Sequence, residues 1–529
     1  MALSAILALS VGSSLAFSLT TPLQLPPTKI INLETAAVLP ENSVQTAYGA
    51  HTFPTGSYGV GTGLQTFNLS IDGGVTKNLQ LGLAWTFFDD QLGEKINGNV
   101  TDFGLLVFAP NLKYRILQGD NYSLAVAGSL ELGRFRSNNG LYTPDNSKKT
   151  SLILAESLQI PLSVKLVPGL EMHLVPGAVI YPGEINDGGN FYGTFFTIGS
   201  GLNYSASDRL SFFANLNIPF GSGGNSVNTK GQIFSKPVWT AGVSYLQSPT
   251  VGIDIYSTNA LGSTPATQML TFVPDGDQFS AGVNFRFTPD FGQGYPTSFR
   301  NASSAPLSTR EKQLMLNNVT LTSANTIKSG MLALQGELNS AANFQLSYGM
   351  SDNAQLEFIG QKLIDTDKPV GTSLKLGVGT KINLLDQYLG DPFSLGLRGS
   401  AQESSKPAPS DGLGMFEVEL ATSYNINSVL TLVVNPKASF STTIDIAGIG
   451  TGLNYRITEN LQMLGEVTPI ITGGTPVWAT AIRYFNPSLN AGIDLYAKNA
   501  IGTHDIGGLI AKSSNRVGVG VNLLFLLGR

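Results

Sequence analysis

The chain of 529 residues carries a formal net charge of −5, only 13% charged and 42% hydrophobic residues, and no cysteine. That composition excludes disulfides, thiol redox chemistry and cysteine-based metal sites, and with no basic patch it argues against a nucleic-acid partner. Mean hydropathy is +0.10, yet no interior run approaches the roughly 20 consecutive apolar residues of a spanning helix. Apolar residues are instead spread through short stretches, and 60 glycines and 27 prolines fit a turn-rich all-β chain.

Taken in chain order, the first 28 residues hold no charged side chain. Ala2–Ala16 (ALSAILALSVGSSLA) reads as the apolar core of a signal peptide with small residues at Ser14 and Ala16, although its basic leading region is missing. Alternating segments follow. Leu79–Phe87 places Leu79, Leu81, Leu83, Trp85 and Phe87 on one face. Tyr122–Leu132, Leu210–Phe220, Phe279–Phe287 and Val517–Leu527 repeat the pattern, with mostly Gly, Ser, Asn, Thr and Ala opposite. Alternation over nine to eleven residues with a small, neutral polar face predicts membrane-spanning β-strands, about 10–12 in each half. Trp239 with Tyr245 and Trp478 with Tyr484 share parity, as two interfacial girdles would. A soluble all-β protein also alternates and stands as the competing fold.

The two halves are copies. Ile31–Thr46 recurs loosely as Val319–Leu334, Phe67–Leu81 as Phe344–Phe358, and GLNY at Gly201–Tyr204 as Gly452–Tyr455. PVWTA at Pro237–Ala241 recurs as PVWATA at Pro476–Ala481, and GIDIYSTNALGS at Gly252–Ser263 as GIDLYAKNAIGT at Gly492–Thr503. The order is the same in both halves, so an internal duplication is predicted. The expected layout is a signal peptide and N-terminal segment at 1–28, a first barrel repeat at 29–290, a linker at 291–315 and a second repeat at 316–529. The polar stretch Thr288–Asn318, with a short helix around Ser308–Leu316, is far longer than a hairpin turn. It favours two tandem barrels over one ring of about 20–24 strands.

Little in the chain points to catalysis. His51, His173 and His504 are the only histidines, and His504 beside Asp505 has no recognisable nucleophile. Asp89-Asp90 reads as a turn acid pair, and GVGTG at Gly59–Gly63 and GSGGN at Gly221–Asn225 read as turns because no helix follows. The repeated GID motif reads as a strand end running into a turn. Neither an enzyme activity nor a cofactor or metal is expected. Charges on the polar strand faces carry more information. Lys375, Lys381, Glu417, Glu419, Arg286, Asp254 and Asp494 all oppose apolar faces, so a lipid-facing exterior turns them toward a lumen. There they line a water-filled path or pair and close it.

The opening element of each half, TAAVLPEN at Thr35–Asn42 and more loosely SANTIKSG at Ser323–Gly330, is followed by an FNLS or FQLS strand. In this the chain resembles bacterial outer-membrane barrel proteins, cyanobacterial ones among them, and distantly the YjbH-type family. That resemblance implies tandem barrels in a Gram-negative-type outer membrane, contact with outer-membrane lipid and the barrel-assembly machinery, and an association with exopolysaccharide. The chain departs from the usual pattern at its end, Phe525-Leu526-Leu527-Gly528-Arg529, where the terminal aromatic is displaced inward. The expected function is passage or export of polar solutes or polysaccharide across that membrane. A non-conducting structural or adhesive barrel is the alternative.

Overall fold

A computed structural model describes Leu25 and residues 27–53, 64–145, 147–291, 295, 299, 306–338, 343–363, 370, 373–404, 415–441 and 444–528. The signal-peptide segment Ala2–Ala16 and the Gly59–Gly63 turn lie outside those residues.

The alternating segments form two closed antiparallel rings. In the first, strands from Val44–Phe53 to Ser280–Phe287 pair in succession, and these two terminal strands pair with each other, Tyr48 opposite Phe285. Lys149–Gln159 and Leu162–Val167 form one line broken at Ile160-Pro161, both pairing with Tyr122–Ser137 and Leu170–Ile180. Pro161 offers no N–H to the ladder there. Thirteen segments thus fill twelve positions. The second ring runs from Leu332–Leu338 to Gly518–Leu527, twelve strands closed by pairing of those two. Each half therefore closes on itself, as the long connector implied, and a single large ring is excluded.

The two ends of each barrel differ. At one, turns such as Gly74 to Leu79 and Ser205 to Leu210 are short. Five of them share a device: Thr76, Ser207, Asn427, Thr458 and Asn486 each accept, through the side-chain oxygen, the N–H groups two and three residues on. That arrangement satisfies backbone donors a tight turn leaves open. At the other end most connections are longer, up to the stretch between Thr258 and Ser280. Short turns mark the periplasmic side of such barrels and long loops the outer side.

Outward positions are apolar and exposed. Ile198, Leu216, Ile218, Val434 and Ile482 all show more than a third of their surface. Exposed tyrosines, among them Tyr114, Tyr122, Tyr204, Tyr424, Tyr455 and Tyr484, sit near the short-turn ends of their strands, while Phe196 and Phe220 stack 5.8 Å apart toward the long-loop end. Where the barrels touch, outward residues are covered by protein. Val251, Ile253 and Phe285 pack with Met350, Ala354 and Ile382, and the Tyr48 hydroxyl meets Thr380. The helix expected near Ser308 forms at Thr309–Met315, closed by a Ser308/Glu311 capping box.

Candidate functional site: two plugged lumens

Neither lumen is empty, and in each the filling at the short-turn side comes from the segment that precedes the first strand. In the first barrel, residues 27–43 enter the ring. Asn32 donates to Thr240 and Thr258, both at 2.8 Å, while Asn215 and Asn217 donate to the carbonyls of Ile30 and Asn32. Ser163 and Gln80 accept from the Ala36 and Leu39 amides. This segment has no ladder of its own beyond the two-residue pairing of Lys29–Ile30 with Leu33–Glu34. Wall side chains therefore do what a neighbouring strand would otherwise do. Glu34 forms a buried ion pair with Lys113 at 2.6 Å.

The second barrel repeats the arrangement with different chemistry. Arg310 of the capped helix donates to Thr431 at 2.7 Å and to Asn454 at 3.0 Å. Further on, the Val319 and Thr320 amides donate to Glu466, and Thr322 donates to Glu419 through both N–H and hydroxyl. The same residue type occupies the same place in both plugs. Leu33 packs where side chains on Gly199 and Gly201 would stand, and Leu321 does so against Gly450 and Gly452. The recurrence of the opening segment with the GLNY motif is thus one contact made twice.

From the long-loop end a second segment folds inward, and it is the continuation of the repeated GID motif. Asn259 accepts from the Trp239 amide and donates to the Pro237 carbonyl; Asn499 does the same with Trp478 and Pro476. Ala260 bridges Thr271, and Ala500 bridges Ala511. The motif is structural, closing a loop over the lumen. Glu131 holds the first loop by accepting from Thr264 and the Ala266 amide, each at 2.6 Å. Arg398 holds the second through Asp505 at 2.7 Å, and Ser400 and Gln402 donate to the same carboxylate. Asp505 is in this way the anchor of a loop. His173 shares a hydrogen bond with Ser163 at 2.8 Å, and His51 is buried beside Asn68. Asp89, expected in a turn, lies in the strand Leu79–Gln91 and pairs with Arg136.

The seven residues singled out in the sequence occupy the inner faces as follows. Asp254 takes a bidentate pair from Arg286 at 2.9 and 3.0 Å. The equivalent Asp494 takes one from Arg483 at 2.7 and 2.8 Å, so the arginine comes from the opposite neighbouring strand. Lys381 donates to the Ser323 carbonyl at 3.0 Å. Glu419 receives Thr322 and Asn435. Glu417 lies 3.8 Å from Arg398, and neither of its oxygens has a hydrogen-bond partner among the described residues. Lys375 is fully buried. Sequence reasoning missed Lys113, Glu131, Arg398, Lys437, Glu466 and Arg483, although each interrupts the small neutral residues of a polar strand face.

The first lumen keeps open space. A chamber of about 770 Å³ opens among the short turns, bordered by Lys29, Lys165, Glu171, Asp254 and Arg286. A deeper cavity of about 110 Å³ shares Lys29, Asp254 and Arg286 with it and reaches Glu34, Lys113 and Asp72.

Closed antiparallel rings with an apolar exterior, aromatic rims and polar interiors define an outer-membrane β-barrel protein, because lipid tolerates only sheets without free edges. No protein-family model matches the chain, and no curated protein matches it. Among solved structures, the KdgM porin is similar over 46% of this chain and 98% of its own, with 10% identity and a TM-score of 0.28. An outer membrane channel from Pseudomonas putida F1 is similar over 48% and 97%, with 14% identity and a TM-score of 0.33. A mutant ferric enterobactin receptor from Pseudomonas aeruginosa is similar over 94% and 81%, with 10% identity and a TM-score of 0.21.

Proposed function

We propose that the protein passes a polar solute across the outer membrane through its first barrel, with the second barrel a closed, supporting partner. The observation that carries this reading is the chamber of about 770 Å³ leading toward the Asp254–Arg286 pair, with a further cavity beyond. Its border mixes Lys29, Lys165 and Arg286 with Asp120, Glu171, Asp208 and Asp254, a near balance suited to a neutral, hydrogen-bonding solute such as a polysaccharide segment. This is also what the resemblance to tandem-barrel proteins of exopolysaccharide production implies. The outward-facing last strand around Phe525 is the element we assign to recognition by the barrel-assembly machinery.

Passage requires the plug to move. Reconstituted wild-type protein is expected to conduct rarely in a planar bilayer. A variant lacking the Glu34–Lys113 pair is expected to give steady single-channel steps. Silence from a correctly folded variant whose plug has left the lumen would overturn the proposal. It would favour the second reading, a non-conducting envelope barrel, which the filling of both lumens supports.

A further inference from the structure

In each barrel the plug and the inward loop meet inside the ring, and a lysine joins them. Lys437, on the wall strand Leu430–Ser441, donates to the Thr320 carbonyl of the plug at 2.9 Å and to the Gly508 carbonyl of the loop at 3.3 Å. The contact is close: a β-carbon on Gly508 would lie 3.1 Å from the Lys437 nitrogen and 3.3 Å from the Thr320 oxygen. In the first barrel, Lys29 of the plug itself donates to the Ser263 carbonyl of the loop at 2.5 Å. The same junction thus arises in both repeats from lysines at unrelated positions.

We propose that plug and loop form one two-sided gate, in which freeing the loop at the outer face loosens the plug at the periplasmic face, and the reverse. The physical reason is shared satisfaction. A buried ammonium needs its acceptors, and the carbonyls it binds have no other route to a donor as strong. If the loop withdraws, Lys437 loses Gly508 and the second lumen opens to water, which competes for its bond to Thr320. If the plug withdraws, the loop loses the same cation. Two segments coupled through one group shift each other's opening by the same factor in both directions. The coupling is a property of the closed barrel and does not depend on what the protein transports.

The chain has no cysteine, so single reporters can be placed without background. Ala324→Cys reports the plug and Ile510→Cys the loop; both positions are buried. In detergent-solubilised, heat-modifiable full-length protein, labelling by a water-soluble maleimide is timed at each reporter. Asp505→Asn, which weakens the loop's anchor on Arg398, is expected to speed labelling at Ala324→Cys on the plug roughly tenfold, within the usual range of coupling between sites. Glu466→Gln, which weakens the plug, is expected to speed Ile510→Cys by a similar factor. Lys437→Met should raise both rates and abolish the cross-effects, and Lys437→Arg should preserve them. Acceleration confined to the reporter on the altered segment would overturn the proposal, as would cross-effects that persist in Lys437→Met.

Discussion

The side chain of Leu33 occupies the space a β-carbon on Gly201 would fill, its Cδ2 lying 2.5 Å from that point. The plug is therefore fitted to a wall that was kept bare for it. Gly201→Val is expected to cost about 1–3 kcal/mol of overpacking and to expel the plug without opening the ring, because the ladder bonds of this strand are unaffected. Proteolysis near residue 30 on the folded barrel should accelerate. A change in heat-modifiable migration would show instead that the ring itself had failed.

The Glu34–Lys113 pair holds the same plug electrostatically. Burial alone would raise the Glu34 carboxyl, but the Lys113 and Lys29 ammonium groups hold it below its ordinary value. A depressed folded-state value gives stability that is present above the unfolded carboxylate's range and lost as pH falls through the folded value. Plug protection is thus expected to be flat through neutral pH and to fall only on acidification below the ordinary carboxylate range. Glu34→Gln should remove that acid step. It should also lower plug stability by about 3–5 kcal/mol, since Lys113 is left buried without its counter-ion.

Asp254 and Asp494 occupy equivalent motif positions, and Asp254 borders both cavities of the first lumen, whereas Asp494 is fully buried. Asp254→Asn is expected to shift the ion selectivity of plug-released channels toward anions while leaving stability little changed, because Arg286 keeps Ser244 and is partly exposed, so water can solvate it. Asp494→Asn leaves Arg483 fully buried without a counter-ion, holding only the Asn317 carbonyl, and is expected to destabilise the second barrel by about 3–5 kcal/mol with no effect on selectivity. Reversal potentials and thermal melts of the two variants separate these outcomes.

The asparagine of the repeated motif is a tie, not a ligand. Asn499→Ala removes the acceptor of the Trp478 amide and the donor to Pro476. A buried backbone group left unpaired costs about 1–3 kcal/mol, so the loop following Lys498 should become protease-sensitive. Asn259→Ala should do the same to the loop of the first barrel.

The rings were legible in the sequence because their determinant is local. Leu210–Phe220 alternates, and its Phe212, Leu216, Ile218 and Phe220 face outward as the pattern implies. Duplication was legible for the same reason, repeated residues at repeated spacing. The plugs were not, because their partners are remote: Asn215 lies 185 residues from the Ile30 carbonyl it binds, and Glu419 lies 97 from Thr322. Nothing in Ile31–Thr46 distinguishes a segment paired to side chains from one paired to a strand. Phe285 likewise has the parity of a lipid-facing residue, but its cover by Met350 and Ile382 belongs to the other barrel.

The membrane-facing exterior is tested most directly by spin labels at Ile198 and Ile482, exposed on the two barrels, in protein reconstituted into bilayers. High collision with dissolved oxygen and low collision with a water-soluble nickel chelate are expected at both sites. Labels shielded from both reagents, in a particle that stays monomeric without detergent, would contradict a membrane-facing exterior.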